Sequence, residues 1–181
     1  MTHPIRRIVT HNDENGLSYA LLDGVASNVT GGLTEIWVTG PELPGHDSKV
    51  DIGLHSDSLE PPPQGSVFRF FQIPPESSLG HLTREERLKG WADLFTMLNA
   101  PHAQPNTSRD PGMHKSRTTD YIILLSGSIH LVLDKGEVEL QPFDAVVQRG
   151  TNHSWVNRGA TDALLMAVLV DDVGGCKAKS H

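Results

Sequence analysis

The chain is poor in three things that would each have marked a function class. Cysteine occurs once, as Cys176 in the polar C-terminal stretch, so internal disulfides have no part in the fold. Positive charge is in deficit: 15 Lys and Arg against 22 Asp and Glu leave a net charge of −7. A nucleic-acid footprint needs a basic stripe, and the balance excludes one. Long apolar runs are missing too, since no stretch approaches the ~18 residues of a membrane span. The opening residues MTHPIRRIVTHNDENG lack the apolar centre of a secretory signal, so a cytoplasmic protein is expected. Neither a phosphate-binding loop nor a serine-hydrolase signature is present. What remains is a 181-residue chain with 37% hydrophobic residues, expected to form a single domain over 1–181 with a sizeable core.

Within it, 112–157 reads as a series of short strands. Residues 122–125 are apolar and end at Ser126-Gly127, 129–133 follow, and Asp134-Lys135-Gly136 makes a turn. Val138 and Leu140 then alternate with Glu137 and Glu139, and 145–147 form another apolar run closed by Gly150. Runs of four to six β-prone residues between Gly and Asp turns predict an antiparallel sheet folded on itself.

Side chains alternate faces along a strand. His114, Ser116, Thr118, Asp120, Ile122 and Leu124 therefore share one face, and His153, Trp155 and Asn157 share another. Turned inward, these sets line a cavity that is polar at its mouth; turned outward, they are scattered polar residues on a solvated edge strand.

These residues resemble the two motifs of the cupin superfamily. The first is His-x-His, a Glu four residues on and a Gly after six more; His114, Ser116, Asp120 and Gly127 stand at those spacings. The second is Pro-x-Gly, two residues, His, three residues and Asn; Gln148, Gly150, His153 and Asn157 match it, with Gln for Pro. The resemblance implies an all-β, cupin-type antiparallel β-barrel (jelly roll) over 66–171. It also implies a divalent metal (Fe, Mn, Ni or Zn), which this family typically holds through three His and a Glu. Here Ser116 stands for the middle His and Asp120 for Glu. His114, Asp120 and His153 still make a two-His, one-carboxylate set of the Fe(II) type. The shorter Asp, rooted on a strand, is expected to fall roughly 1.5 Å short of a metal, so one metal or none remains open.

Ahead of the barrel, 5–9 and 17–22 read as strands around a turn at 12–16, and 33–39 as a third, with Leu33, Glu35 and Trp37 on one face. By resemblance, 1–40 forms a leading arm that pairs across a homodimer. Residues 40–65 are rich in Pro, Gly, Asp and Ser and read as a long loop, with His46, His55 and Asp57 in solvent. Residues 66–73 form a strand whose one charge, Arg69, faces either an anionic substrate in the cavity or solvent. Thr83 and Glu86 make a capping box that opens a helix over 83–98, with Leu88, Trp91, Phe95 and Leu98 as its packing stripe. A polar loop over 101–113 leads into His114. Residues 163–170 are all apolar, as for a strand buried on both faces, and 172–181 read as a frayed tail.

The inward set supports proton transfer by His114, His153 and Asp120, with Ser116, Thr118, Trp155 and Arg69 touching substrate. Three functions follow. One is a lyase, dehydratase, decarboxylase or isomerase acting on an oxygenated organic acid or polyketide-like metabolite. The second is an Fe(II) oxygenase, and the third a non-catalytic small-molecule binder.

Overall fold

Gly and Asp turns cut the chain into eleven strands and one α-helix among the residues described, 3–172 in a computed structural model. The tail over 172–181, apart from Asp172, and with it Cys176, lies outside the described residues. The strands are β1 (Arg6–Asn12), β2 (Ser18–Val25), β3 (Val29–Thr30), β4 (Leu33–Thr39), β5 (Ser66–Ile73) and β6 (Thr118–Ser126). They continue as β7 (Ile129–Leu133), β8 (Glu137–Leu140), β9 (Ala145–Arg149), β10 (His153–Val156) and β11 (Ala163–Asp171), and the helix is α1 (Arg84–Met97). The six-stranded sheet runs β3-β4-β5-β11-β6-β9 and the three-stranded one β10-β7-β8, while β1 and β2 pair only with each other. All pairings are antiparallel. The two larger sheets are not joined by a continuous ladder. A single bridge, His114 to His153, ties the segment entering β6 to β10.

The inward faces of the two sheets make the main core. Ile122 and Leu124 from β6, Ile129 and Leu131 from β7, and Leu165 and Ala167 from β11 pack together there. Strand β11 departs from its expected burial on both faces. Ala163, Leu165, Ala167 and Leu169 are buried, whereas Leu164, Met166 and Val168 are only half covered on the outer face. Its position between β5 and β6 explains an all-apolar strand that has only one inner side.

Strand β4 breaks the expected alternation. The register shifts between Glu35 and Trp37, so Glu35 pairs with the inward Arg69 while Trp37 moves opposite the outward Phe68. The extra residue of such a bulge loses its ladder partner. Here the Ile36 carbonyl accepts from Arg7 Nη1 at 3.2 Å, and Arg7 also forms an ion pair with Asp51. That guanidinium pins the β1–β2 hairpin to the body, which a free two-stranded ribbon needs.

The capping box is formed as the sequence predicts. Thr83 Oγ1 accepts from the Glu86 amide at 3.2 Å, and Glu86 Oε2 accepts from the Thr83 amide at 2.8 Å. Asn99 ends the helix with a positive φ of 52°. The long 40–65 loop is less open than its composition suggests. It carries a 3₁₀ turn, Ile52–His55, and buries Ile52, Ser56 and Leu59, although His46, His55 and Asp57 are exposed. The 101–113 loop likewise ends buried, at Asp110 and Met113. Among the described residues, no helix is long and apolar enough to cross a membrane.

Candidate active site

The burial of β6 follows the predicted parity: Ser116, Thr118, Asp120, Ile122 and Leu124 are buried, and Lys115, Arg117 and Tyr121 are exposed. The two motif glycines set the ends of these strands. Gly127 turns β6 into β7 with φ +81°, and a Cβ there would lie 2.8 Å from the Asp162 carbonyl oxygen. Gly150, φ +58°, opens the turn before β10. Asn157 is a staple, donating to the carbonyls of Ile73 and Thr161 and accepting from the Gly159 amide, each at 2.8 Å.

His114 and His153 face each other across the barrel seam, with ring centroids 4.3 Å apart and a 46° tilt. Their own backbones form the bridge, each amide donating to the other's carbonyl at 2.8 Å. Each ring is then fixed by a carbonyl two residues back. His114 Nδ1 lies 2.8 Å from the Gly112 oxygen and His153 Nδ1 lies 2.9 Å from the Thr151 oxygen. A carbonyl only accepts, so each Nδ1 carries the hydrogen and each Nε2 presents a lone pair. Gln148, standing where the family has Pro, takes over the turn by donating through Nε2 to both the Thr151 carbonyl and hydroxyl. It thereby holds the oxygen that orients His153.

The rings open onto a cavity of about 210 Å³. Trp155, Phe71 and Ile73 supply one wall and Trp91, Leu94 and Phe95 from α1 another. The helix stripe therefore serves the cavity as well as the core: the Phe95 ring lies 5.0 Å from His114 and 5.8 Å from Trp91. Trp155 meets His153 edge-on at 5.8 Å.

Asp120 lines the same cavity but sits apart from the histidines as a ligand set, for among the described residues no three His, Cys, Asp or Glu side chains are grouped to hold a metal. The two imidazoles suit a metal, because a ligating His commonly gives its other N–H to a carbonyl. The carboxylate does not join them, and the expected triad does not fit. Asp120 is instead placed near Thr118 and Arg69, across β11. One of its oxygens, Oδ1, is buried without a partner. Burial pushes its carboxyl up to about 6, against the Thr118 hydroxyl and the Arg69 charge. Burial and the neighbouring His114 press His153 down to about 3, and burial lowers His114 as well, so both rings are neutral near pH 7.

Arg69 faces inward, 2% exposed, but it is already engaged. It pairs with Glu35 at 3.1 Å and donates to the carbonyls of Leu59 and Ser58 at 3.0 and 2.8 Å. Of its guanidinium nitrogens only Nε is left without a partner, which narrows what it offers an anionic substrate to that one N–H. Ser116 and Thr118 are also inward, yet their hydroxyls bond to each other at 2.6 Å and do not line the cavity. Two groups escaped sequence reasoning. Glu35 had a signal, a lone acid in an apolar strand. Asp110, which accepts from Ser154 Oγ at 2.6 Å and the Gly112 amide at 2.8 Å and lies 3.7 Å from Arg87, had none beyond a turn composition.

Two antiparallel sheets packed around a histidine-lined apolar cavity define an open β-barrel protein. The chain belongs to the cupin superfamily, and two relatives that match about a third of it are named for a cupin domain. Phomopsin biosynthesis cluster protein C′ of Diaporthe leptostromiformis is 30% identical over 167 residues, covering 86% of this chain and 71% of that protein. The cupin-domain-containing oxidoreductase srdD of Neurospora crassa is 40% identical over 63 residues, 33% of this chain and 32% of that one. Among solved structures, the cupin domain of Schizosaccharomyces pombe Cnp3 has 11% identity and a TM-score of 0.41, covering 94% of this chain and 90% of that one. No protein-family model matches the chain.

Proposed function

We propose that the cavity is the active site of a small-molecule enzyme that works by proton transfer, of the lyase, dehydratase, decarboxylase or isomerase type. The observation that carries this reading is the pair of neutral imidazoles facing each other at 4.3 Å inside an apolar cavity, with a buried carboxyl on the same wall. His114 and His153 receive and orient the ligand at Nε2. Asp120, whose carboxyl is pushed up to about 6, is the group matched to giving and taking a proton near neutrality. Trp91, Phe95 and Trp155 exclude water and hold a flat substrate. Of the two substrate classes expected from the sequence, the polyketide-like metabolite suits this cavity better than an organic acid, because Arg69 is taken by Glu35.

The test follows solvent deuterium entering the acidic carbon of 1,3-diketones carried on a dihydroxyphenyl ring by NMR. Wild-type protein accelerates exchange in the presence of a chelator, while folded Asp120→Asn and His153→Phe do not. Equal rates for wild type and His153→Phe across the diketone panel refute the reading.

A second reading, oxidoreductase, is favoured by the names of two relatives, srdD and the Aspergillus ruber protein fogC, and by the carbonyl-held imidazoles. It requires a metal ligand beyond the two rings, and metal analysis of protein purified without chelator separates it from the first.

The chain is also proposed to act in the cytoplasm as one domain and as a homodimer. Ile8, Leu17, Tyr19 and Val25 of the leading hairpin region and Tyr121 and Val147 of the outer sheet face are exposed, and a second copy would cover them. A monomer by sedimentation at micromolar concentration overturns the dimer.

A further inference from the structure

The hydrogen-bonding sense of the two imidazoles restricts what the cavity accepts, an inference that rests on the cavity being the substrate site. Both Nδ1 atoms face carbonyl oxygens, at 2.8 and 2.9 Å, so both hydrogens are spent on the backbone. What the rings offer the cavity is two acceptors and no donor. A carbonyl, ether or carboxylate oxygen placed there meets lone pair against lone pair. A ligand that satisfies both rings brings its own hydrogens.

Charge narrows the choice further. Two guanidiniums border the cavity, Arg69 and Arg87. Arg69 is held by Glu35 at 3.1 Å, and Arg87 lies 3.1 Å from Glu76 and 3.7 Å from Asp110. Asp120 adds a further carboxyl with a bare oxygen. Four carboxyl groups thus answer two cations, of whose donors Nε of Arg69 and Nε of Arg87 are left without a partner, so an entering anion meets an excess of carboxyl groups. Burying an unpaired carboxylate under those conditions is prohibitive. The walls beside the imidazoles are aromatic: Phe95 against His114, Trp155 against His153, and Phe71 behind Trp155 at 6.1 Å.

We infer that the cavity takes a neutral aromatic ring bearing two hydroxyl groups, one donated to Nε2 of His114 and the other to Nε2 of His153. The ring lies between the aromatic walls, and the hydroxyl hydrogens supply what the two imidazoles lack. The same arrangement strongly disfavours an organic acid and, less strongly, a fully methylated ring.

The experiment uses ¹⁵N-labelled full-length protein in chelator, titrated with 4-methylcatechol, its dimethyl ether and 4-methylbenzoate. Long-range ¹H–¹⁵N spectra are expected to show a protonated Nδ1 and a bare Nε2 on both rings. The diol is expected to move both Nε2 signals and to bind about ten-fold more tightly than the ether. Its advantage over the benzoate is on the order of a hundred-fold. In His153→Phe the preference for diol over ether is expected to shrink while ether binding persists. An Nε2–H on either ring overturns the inference, as does equal binding of diol and ether, tighter binding of the benzoate, or no diol binding at millimolar concentration. Diol binding that appears only when Fe(II) or Zn(II) is added overturns it too, by making a metal the acceptor. Should His153→Phe not fold, the wild-type series and the tautomers decide alone. Retained diol binding without deuterium exchange in the diketones refutes the proposed reaction and leaves the ligand class standing.

Discussion

Replacing Arg69 by Met leaves Glu35, 4% exposed, without its counter-ion in the interior. Removing one partner of a buried pair typically costs about 3–5 kcal/mol. The structure separates that cost into two parts with different pH behaviour. The Leu59 and Ser58 carbonyls lose their donors, a loss that does not depend on pH. Glu35 can escape its isolation by taking a proton, and this becomes dearer by about 1.4 kcal/mol for each pH unit above its ordinary value. With that value at 4.5, the second part is bounded at about 3.4 kcal/mol at pH 7 and vanishes near pH 4.5. The sign is that of a carboxyl raised in the fold: stability is present below 4.5 and lost as pH rises. The expected fall in Tm at pH 7 is about 6–20 °C for a chain of this size. Urea unfolding at pH 5 and 7.5 measures both parts. Arg69→Met should be much closer to wild type at pH 5, and Glu35→Gln on top of it should recover most of the loss at pH 7.5. Adding Asp120→Asn separates any contribution of that neighbouring carboxyl. A deficit that is the same at both pH values, or a double variant no better than the single one, refutes the reasoning.

Three further outcomes are expected. Thr83→Ala removes the hydroxyl half of the capping box and should cost about 1 kcal/mol, read as a Tm drop of about 2–4 °C; an unchanged Tm counts against a capping role. Gly127→Ala places a Cβ at positive φ and against backbone at 2.8 Å, and should cost at least about 2 kcal/mol in chemical denaturation. His153 binds a proton near 6.5 when free but is held down to about 3 in the fold, so its contribution is intact above 6.5 and lost as pH falls towards 3. Wild type should therefore lose stability relative to His153→Phe by up to about 1.4 kcal/mol per pH unit below 6.5, and a gap that stays constant from pH 7 to 5 sinks that account.

The parts of the molecule legible in the sequence are those governed by short-range periodicity. Alternation placed His114, Ser116, Thr118, Asp120, Ile122 and Leu124 on one face, because no bulge interrupts 116–124. The same rule failed at Trp37, where a single extra residue in β4 reversed the faces beyond it. Capping chemistry fixed the start of α1 to the residue, since both halves of the box lie within four positions. The direction of Arg69 was beyond reach, for its partner Glu35 lies 34 positions earlier, on a strand whose register no local pattern encodes. The carbonyls that tautomerise the histidines are invisible for a related reason: every residue has one, and only the turn decides where it points.

The His114–His153 bridge gives the barrel a seam, closed at this point by two amide hydrogen bonds whose side chains are the site itself. Closure and pre-organisation are then one event. Any breathing that parts the sheets here also pulls the two rings away from each other, and a molecule clasped by both rings stitches the seam shut. The amide protons of His114 and His153 become built-in reporters: their exchange with solvent deuterium measures how often the site comes apart, and its slowing on ligand addition measures how firmly the occupant holds the barrel closed.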